Sequence, residues 1–426
     1  MPAGGRGTMV VWTCSVALAA GAMLCALLEV EAQGMPRQAT VRVVEGGEST
    51  ASYGDCRKTL VGPGVNQPDP YRGYGGFVGW QAPVRLRNGT WLVGFSAGYW
   101  HASPPTPLRI DAATLDTWTK LGFPADIDAP TGGRAMLIRS TDGGITWSRP
   151  ETIIDTPWDD RSPAFLELPD GTILCSFFTY PGVGPPEDQE LAARTNIIRS
   201  FDGGVTWEQR PRRLPSPFAY DATDGPPILL HDGSVLLAVY GKLPEGGPEQ
   251  AGVFRTTDRG ETWEVLSVVR APYELSEAGI AQLPDGRLVM IVRPEGAITW
   301  SEDEGRTWST PASFGMRMYE PGLLVLTDGT LLCLHGSYGA GGFRAILSAD
   351  GGETWVAPAP DHGFVVDASV YGYGRGMELP NGSVFAAYIH TGGHRTEDAR
   401  TEAIWGIRLR VRPDHLGVDL LPAPGR

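Results

Sequence analysis

Lysine is nearly absent: of 35 basic residues only Lys58, Lys120 and Lys242 are not arginine. A formal charge of −14 at pH 7 argues against a nucleic-acid partner, which needs a basic face. Cysteine is scarce as well, five in 426 residues and none at metal-ligand spacing. Beyond residue 32 no long apolar run occurs, so a multi-span membrane protein is excluded. No His-Glu-x-x-His is present, and no Gly-rich loop follows a strand and opens a helix. His390 and His394 are four apart, but in a Gly-Gly turn and not on a helix face. Nothing implies a metal or another cofactor.

The start of the chain reads as an export signal. Arg6 precedes an uncharged stretch from Gly7 to Leu28, and Val30-Glu31-Ala32 offers small residues for cleavage. The expected division is a signal peptide over 1–32 and one domain over 33–426, secreted or periplasmic and off the membrane after cleavage. An uncleaved anchor is the alternative. Cys14 and Cys25 leave with the signal; Cys175 and Cys333 occupy one apolar slot in two repeats and read as small buried hydrophobes.

Glycine (57) and proline (36) are plentiful, with 13 each of Trp, Tyr and Phe, a composition of short strands and many turns. One phrase recurs six times, an apolar run, Asn or Asp, Gly and a second apolar run. Its turn residues are Asn88, Asp170, Asp232, Asp285, Asp328 and Asn381. Asn-Gly and Asp-Gly supply the positive φ that a two-residue hairpin needs. A second phrase alternates with it, in five copies from STDGGITW (Ser140–Trp147) to SADGGETW (Ser348–Trp355). In these Asp boxes the Asp accepts bonds from its own turn and the Trp packs between sheets; near-identical copies mark turn staples, not catalytic or calcium-binding groups. Hairpin, connection, Asp box and outer strand make four antiparallel strands per unit, hence an all-β, six-bladed propeller of four-stranded blades. The alternating segment Ala39–Val44 is expected to supply the missing fourth strand of the last blade.

The repeat register points to a site at one end of the ring. Eight residues before each hairpin turn, at the start of the innermost strand, stand Trp80, Ser162, Asp224, Glu277, Glu320 and Tyr373, with Gln81 and Arg161 one step away. Eight residues after the turns, Arg293 and Tyr240 reach the same end, with His335 and His390 near it. The longest connection, about Ser96 to Gly133, joins them there and brings Trp100 and His101. Acids, arginines and a tyrosine converge, with Trp80, Tyr99 and Trp100 as stacking faces for sugar.

On the Asp boxes, EAGIAQLPDGRLVMIVR (Glu277 to Arg293) and YGRGMELPNG (from Tyr373), residues 33–426 resemble the sialidase superfamily. The resemblance implies a retaining exo-glycosidase in which Glu277 deprotonates Tyr373, Tyr373 attacks the anomeric carbon and Arg293 belongs to a carboxylate-binding arginine triad. Asp224 and Glu320 complete the acidic ring. The sequence departs from the family at three points. The first triad arginine is replaced by Gln81, in Gln81-Ala82-Pro83, and the glutamate that braces it by Ile389. SAGYWHASPPTP lacks the acid/base aspartate, with Asp111, Asp116, Asp126 and Asp128 following later. Arg344 stands for the third triad arginine, with Arg161 as an alternative cation. The expected activity is hydrolysis of a terminal, acidic sugar of a glycan or oligosaccharide. The alternatives are an exo-arabinanase-like glycosidase or a lyase using Asp224, Glu277 and Glu320, and a non-catalytic carbohydrate-binding propeller.

Overall fold

A computed structural model describes residues 37–68, 77–98, 112–113, 116, 120, 133–180, 193–391 and 402–424. Six sheets, each built on antiparallel blade strands, follow one another around a ring. In blade 1 the strands Phe77–Arg85, Trp91–Gly98, Arg134–Ser140 and Glu151–Ile154 run from the inside outward. Blades 2 to 5 repeat this order, and blade 6 begins with Gly374–Glu378, Val384–Ile389 and Ile404–Val411. The ring closes where the first strand of blade 6 packs on that of blade 1, burying Met377 and Phe385 with Val78 and Trp91.

The hairpin phrase explains the register. At each turn the Asn or Asp side chain accepts the backbone N–H two residues on, as in Asn88 to Thr90 (2.9 Å) and Asp328 to Thr330 (2.9 Å). The following Gly adopts φ of +73° to +92° in all six turns. The Asp boxes are staples at the same end. Asp142 accepts the Thr146 N–H (2.9 Å) and the Ser140 hydroxyl (2.8 Å), and the Thr146 hydroxyl's bond to it, first among these, holds its carboxyl down at about 2. Trp355 of the fifth box is fully buried and stacks on Phe314 of blade 4, centroids 6.1 Å apart. Cys175 and Cys333 are wholly buried free thiols, as their apolar slot requires.

The edge of blade 6 departs from expectation. Thr40–Val43 pairs in parallel with Thr354–Ala357, on the outside of blade 5. Blade 6 is instead completed by two short strands that share its third strand. Lys58–Val61 pairs with Ile404–Gly406, and Val418–Leu421 returns against Arg408–Val411. The alternation of Thr40–Val43 suits any open edge, and nothing in it names the blade. The Asp box of blade 5 leaves such an edge, and the C-terminal hairpin fills the one in blade 6.

Candidate active site

The innermost strands do not enter the ring as regular strands. Trp80, Ser162, Glu277 and Glu320 have φ of +51°, +55°, +46° and +46°. Each stands where its pairing slips, between Gly79 and Ala82, Arg161 and Ala164, Ser276 and Gly279, and Tyr319 and Gly322. A bulge with a non-glycine residue in the left-handed region is strained and re-aims its side chain, a device concentrated at functional sites. One bulge recurs in four blades at the positions the repeat count selects. The backbones also crowd there: a Cβ on Gly279 would lie 2.0 Å from the Pro321 carbonyl oxygen.

Three of the expected residues meet at the mouth. The Tyr373 hydroxyl donates to Glu277 Oε1 at 2.5 Å. Arg293 Nη1 forms an ion pair with the same carboxylate oxygen and lies 3.2 Å from the Tyr373 hydroxyl. Arg293 Nε donates to the Tyr338 hydroxyl at 2.8 Å, and the Glu320 N–H donates to Glu277 Oε2 at 2.9 Å. The Tyr373 ring stacks on Tyr319 and Tyr371, with centroids 5.2 and 5.5 Å away. Burial pushes the Glu277 carboxyl up to about 7, against the pull of Arg293. Burial and the charge of Glu277 push the Tyr373 phenol well above its usual value. A neutral phenol in contact with a carboxylate poised near neutrality is an acid–base pair ready for proton transfer.

A second layer of charge lies on the axis. Arg375, two residues after Tyr373, is buried, and its Nε stands 3.4 Å from Glu320 Oε1. Its Nη1 also reaches blade 3, since a Cβ on Gly225 would be 3.5 Å away. Asp224, buried beside Gly225, accepts the Ser162 hydroxyl at 2.7 Å. Burial pushes Glu320 well above the carboxylate range although Arg375 pulls it down, and the charges of Asp224 and Glu277 add to the rise. Three carboxylates and two guanidiniums thus share the funnel.

Other expected residues take different roles. Gln81 is fully buried and donates Nε2 to the carbonyls of Tyr373 (3.0 Å) and Ala387 (3.2 Å), so it holds the backbone under the tyrosine and not a ligand. Arg344 donates to the carbonyls of Gly341 (2.7 Å), Gly363 (3.0 Å) and Ala340 (3.3 Å) in its own blade, and no bond joins it to Arg293, Glu277 or Tyr373. Its place on the third strand of blade 5 turns the guanidinium onto loop carbonyls, which the family pattern in the sequence does not reveal. Arg161 lies between the Trp80 and Tyr180 rings, 4.7 and 4.2 Å from their centroids, and is neutralised by Asp159 at 2.6 Å. His335 is wholly buried, and burial pushes it down to about 4. Tyr99, Trp100, His101, Asp111, Asp126, Asp128 and His394 lie outside the described residues. Asp116 is exposed and pairs with Lys120. The sequence reading does not reach Arg375, Tyr338 and Tyr371, although Arg375 stands two residues after Tyr373 at the start of a strand, where alternate residues share a side; Tyr371 comes beside Tyr373 across Gly372, at φ +110°. Among the described residues no group of His, Cys, Asp and Glu has the geometry to hold a metal.

A ring of Asp-box blades with this mouth is a sialidase-superfamily propeller. The chain belongs to the family described as BNR repeat-like domain, which matches residues 137–358. It is 28% identical over 234 residues to a sialidase of Micromonospora viridifaciens, covering 46% of this chain and 35% of that protein. The chain spans about a third to just over half of the length of the curated sialidases it matches. In structure it is similar to a protein of unknown function from Dyadobacter fermentans, with TM-score 0.62 and 20% identity over 84% of this chain and 99% of that one. It is similar also to an α-L-arabinofuranosidase of glycoside hydrolase family 93 from Fusarium graminearum, solved with arabinobiose. There the TM-score is 0.53 and the identity 17%, over 83% of this chain and 97% of that one.

Proposed function

We propose that this protein is an exported glycoside hydrolase that removes a terminal sugar from a glycan with retention, through a covalent intermediate on Tyr373. The observation that carries the reading is the 2.5 Å bond from the Tyr373 hydroxyl to Glu277, with Arg293 beside both. As the phenolic oxygen bonds to the anomeric carbon, its proton passes to Glu277 and the glycosidic C–O bond breaks, its electron pair leaving with the departing oxygen. Arg293 stabilises the charge that develops on the phenol. Glu277 hands that proton through solvent to the departing oxygen and is a carboxylate again; it then takes a proton from the water that attacks the anomeric carbon, and as the carbon–phenol bond breaks it returns a proton to the Tyr373 oxygen. A tyrosine approaches an anionic sugar without charge, and a neutral sugar equally well.

The rest of the funnel bears on the substrate. Gln81 and Arg344 give their donors to backbone carbonyls, and Arg293 and Arg161 already face carboxylates. With Arg375 facing Glu320, a carboxylate-bearing sugar therefore meets no complete arginine triad among the described residues, and each missing charge-assisted bond lowers affinity by roughly 10–100-fold. Common sialosides are expected to be poor substrates, with another terminal sugar preferred. A second reading, an arabinanase-like enzyme relying on two carboxylates, is favoured by the convergence of Asp224, Glu277 and Glu320 and by the likeness to the family 93 fold. Release of sugar from sialyl-lactose, uronic-acid-capped and arabinose-capped oligosaccharides at equal concentration decides between them. Sialoside turnover at rates typical of a competent glycosidase contradicts the substrate claim. No release by wild type from any of them leaves a binding propeller.

A further inference from the structure

Beside the reacting cluster, between blades 3 and 4, lies a pocket of about 460 Å³ lined by Tyr220, Tyr240, Lys242, Glu249, Glu274 and Arg293. Its walls are fixed. The Leu275 N–H donates to the Glu249 carbonyl at 2.9 Å, and Gln250 Nε2 bonds the Glu249 and Ala271 carbonyls at 2.8 and 3.2 Å while its Oε1 accepts the Ala271 N–H at 2.7 Å. Each acid is also oriented by a hydroxyl. Tyr220 donates to Glu249 Oε1 and Ser276 to Glu274 Oε1, both at 2.7 Å. Among the described residues, Oε2 of both acids, Lys242 Nζ and Arg293 Nη2 have no hydrogen-bond partner.

A ligand for this pocket must bring several hydroxyl donors and a few acceptors on a compact frame with a face to lay on tyrosine. Among the described residues the two carboxylates outweigh the one free cation, the exposed Lys242, so the pocket disfavours a phosphate or an acidic sugar. Arg293 gives little relief, because Glu277 already compensates it. An aliphatic ligand would strand the carboxylates. Arg293 lines the pocket and also contacts Glu277 and Tyr373, so the pocket borders the reacting site.

Resting on the glycosidase reading above, we infer that this pocket is a second sugar subsite. It takes an uncharged sugar ring, tolerates an amine and rejects a carboxylate, and the substrate is an oligosaccharide of two or more residues. Burial, with the neighbouring charge of Glu274, raises the Glu249 carboxyl, the strain expected of an acid that a ligand hydroxyl would relieve.

Binding to the Glu277→Gln variant, measured by calorimetry, tests this without requiring turnover. The probes are arabinose and galactose, their neutral di- and trisaccharides, glucosamine oligosaccharides and oligogalacturonates. Neutral oligosaccharides are expected to bind at least about tenfold tighter than their monosaccharides, and oligogalacturonates to show no such gain. Glu249→Ala and Glu274→Ala in that background should each abolish the gain and leave monosaccharide affinity in place, with the isosteric Glu249→Gln as a control for folding. The inference is overturned if chain length brings no gain, if oligogalacturonates gain most, if both alanine variants keep the gain or if no probe binds. Binding of this pattern without turnover by the wild type defeats the hydrolase reading and leaves the subsite; turnover without the pattern does the reverse.

Discussion

Replacing Gln81 by methionine keeps the length of the side chain and removes both hydrogen bonds that cross from blade 1 to blade 6. The residue is fully buried, so water cannot substitute for the lost amide. Each bond contributes about 0.5–1.5 kcal/mol, giving a destabilisation of about 1–3 kcal/mol. The lower half of that range is expected, because the Tyr373 carbonyl also accepts the Ile389 N–H at 2.9 Å. The larger effect falls on chemistry. Tyr373 is aimed at Glu277 from a carbonyl with two donors, and a displacement near 1 Å can cost about 100-fold in rate. With an activated aryl glycoside, kcat should fall about tenfold or more while KM stays within about twofold, since the amide touches backbone and no substrate. A rise in KM at constant kcat would show that Gln81 binds substrate, and loss of stability with unchanged kinetics would show only a structural tie; either result refutes the positioning argument.

Tyr373→Phe and Glu277→Gln should each reduce kcat/KM by about 100-fold or more, with melting temperatures close to wild type. Because Glu277 must be unprotonated to accept the phenolic proton and stands at about 7, kcat/KM should rise with pH through about 7. Arg293→Met, which removes the pull that lowers Glu277, should move that limb to higher pH. The sign for stability is opposite: Glu277 in the folded state keeps its proton from 4.5 to about 7, where the unfolded chain has lost it, so its contribution falls as pH rises through that window. Trp355→Ala, at a fully buried Asp-box tryptophan, should cost about 3–5 kcal/mol in denaturant unfolding, and Trp207→Ala, at a half-buried one, clearly less.

What the sequence revealed follows from repetition. Six Asn/Asp-Gly turns and five Asp boxes locate each strand by counting, and the same count led to Glu277, Tyr373 and Arg293, which meet in space. Repetition is silent wherever a residue acts outside its repeat. Thr40–Val43 carries strand alternation but no mark of blade 5. Arg375 reaches across the axis to blade 3, a contact set by ring curvature and by the absence of a side chain at Gly225. Gln81 was legible as a departure from the family pattern, but its hold on the Tyr373 carbonyl depends on the bulge between Gly79 and Ala82, which propensity does not indicate. Arg344 has the right residue type near the right repeat, and only the loop carbonyls around it show where its donors go.

The central claim is that Tyr373 becomes covalently bonded to the sugar. Activated fluoro-glycosides of the sugars found in the release screen slow hydrolysis of such an intermediate enough for intact-protein and peptide mass spectrometry. The account predicts one added glycosyl unit on the peptide that carries Tyr373, absent in Tyr373→Phe. An adduct on Asp224, Glu277 or Glu320, or turnover with inversion and no adduct, would contradict it.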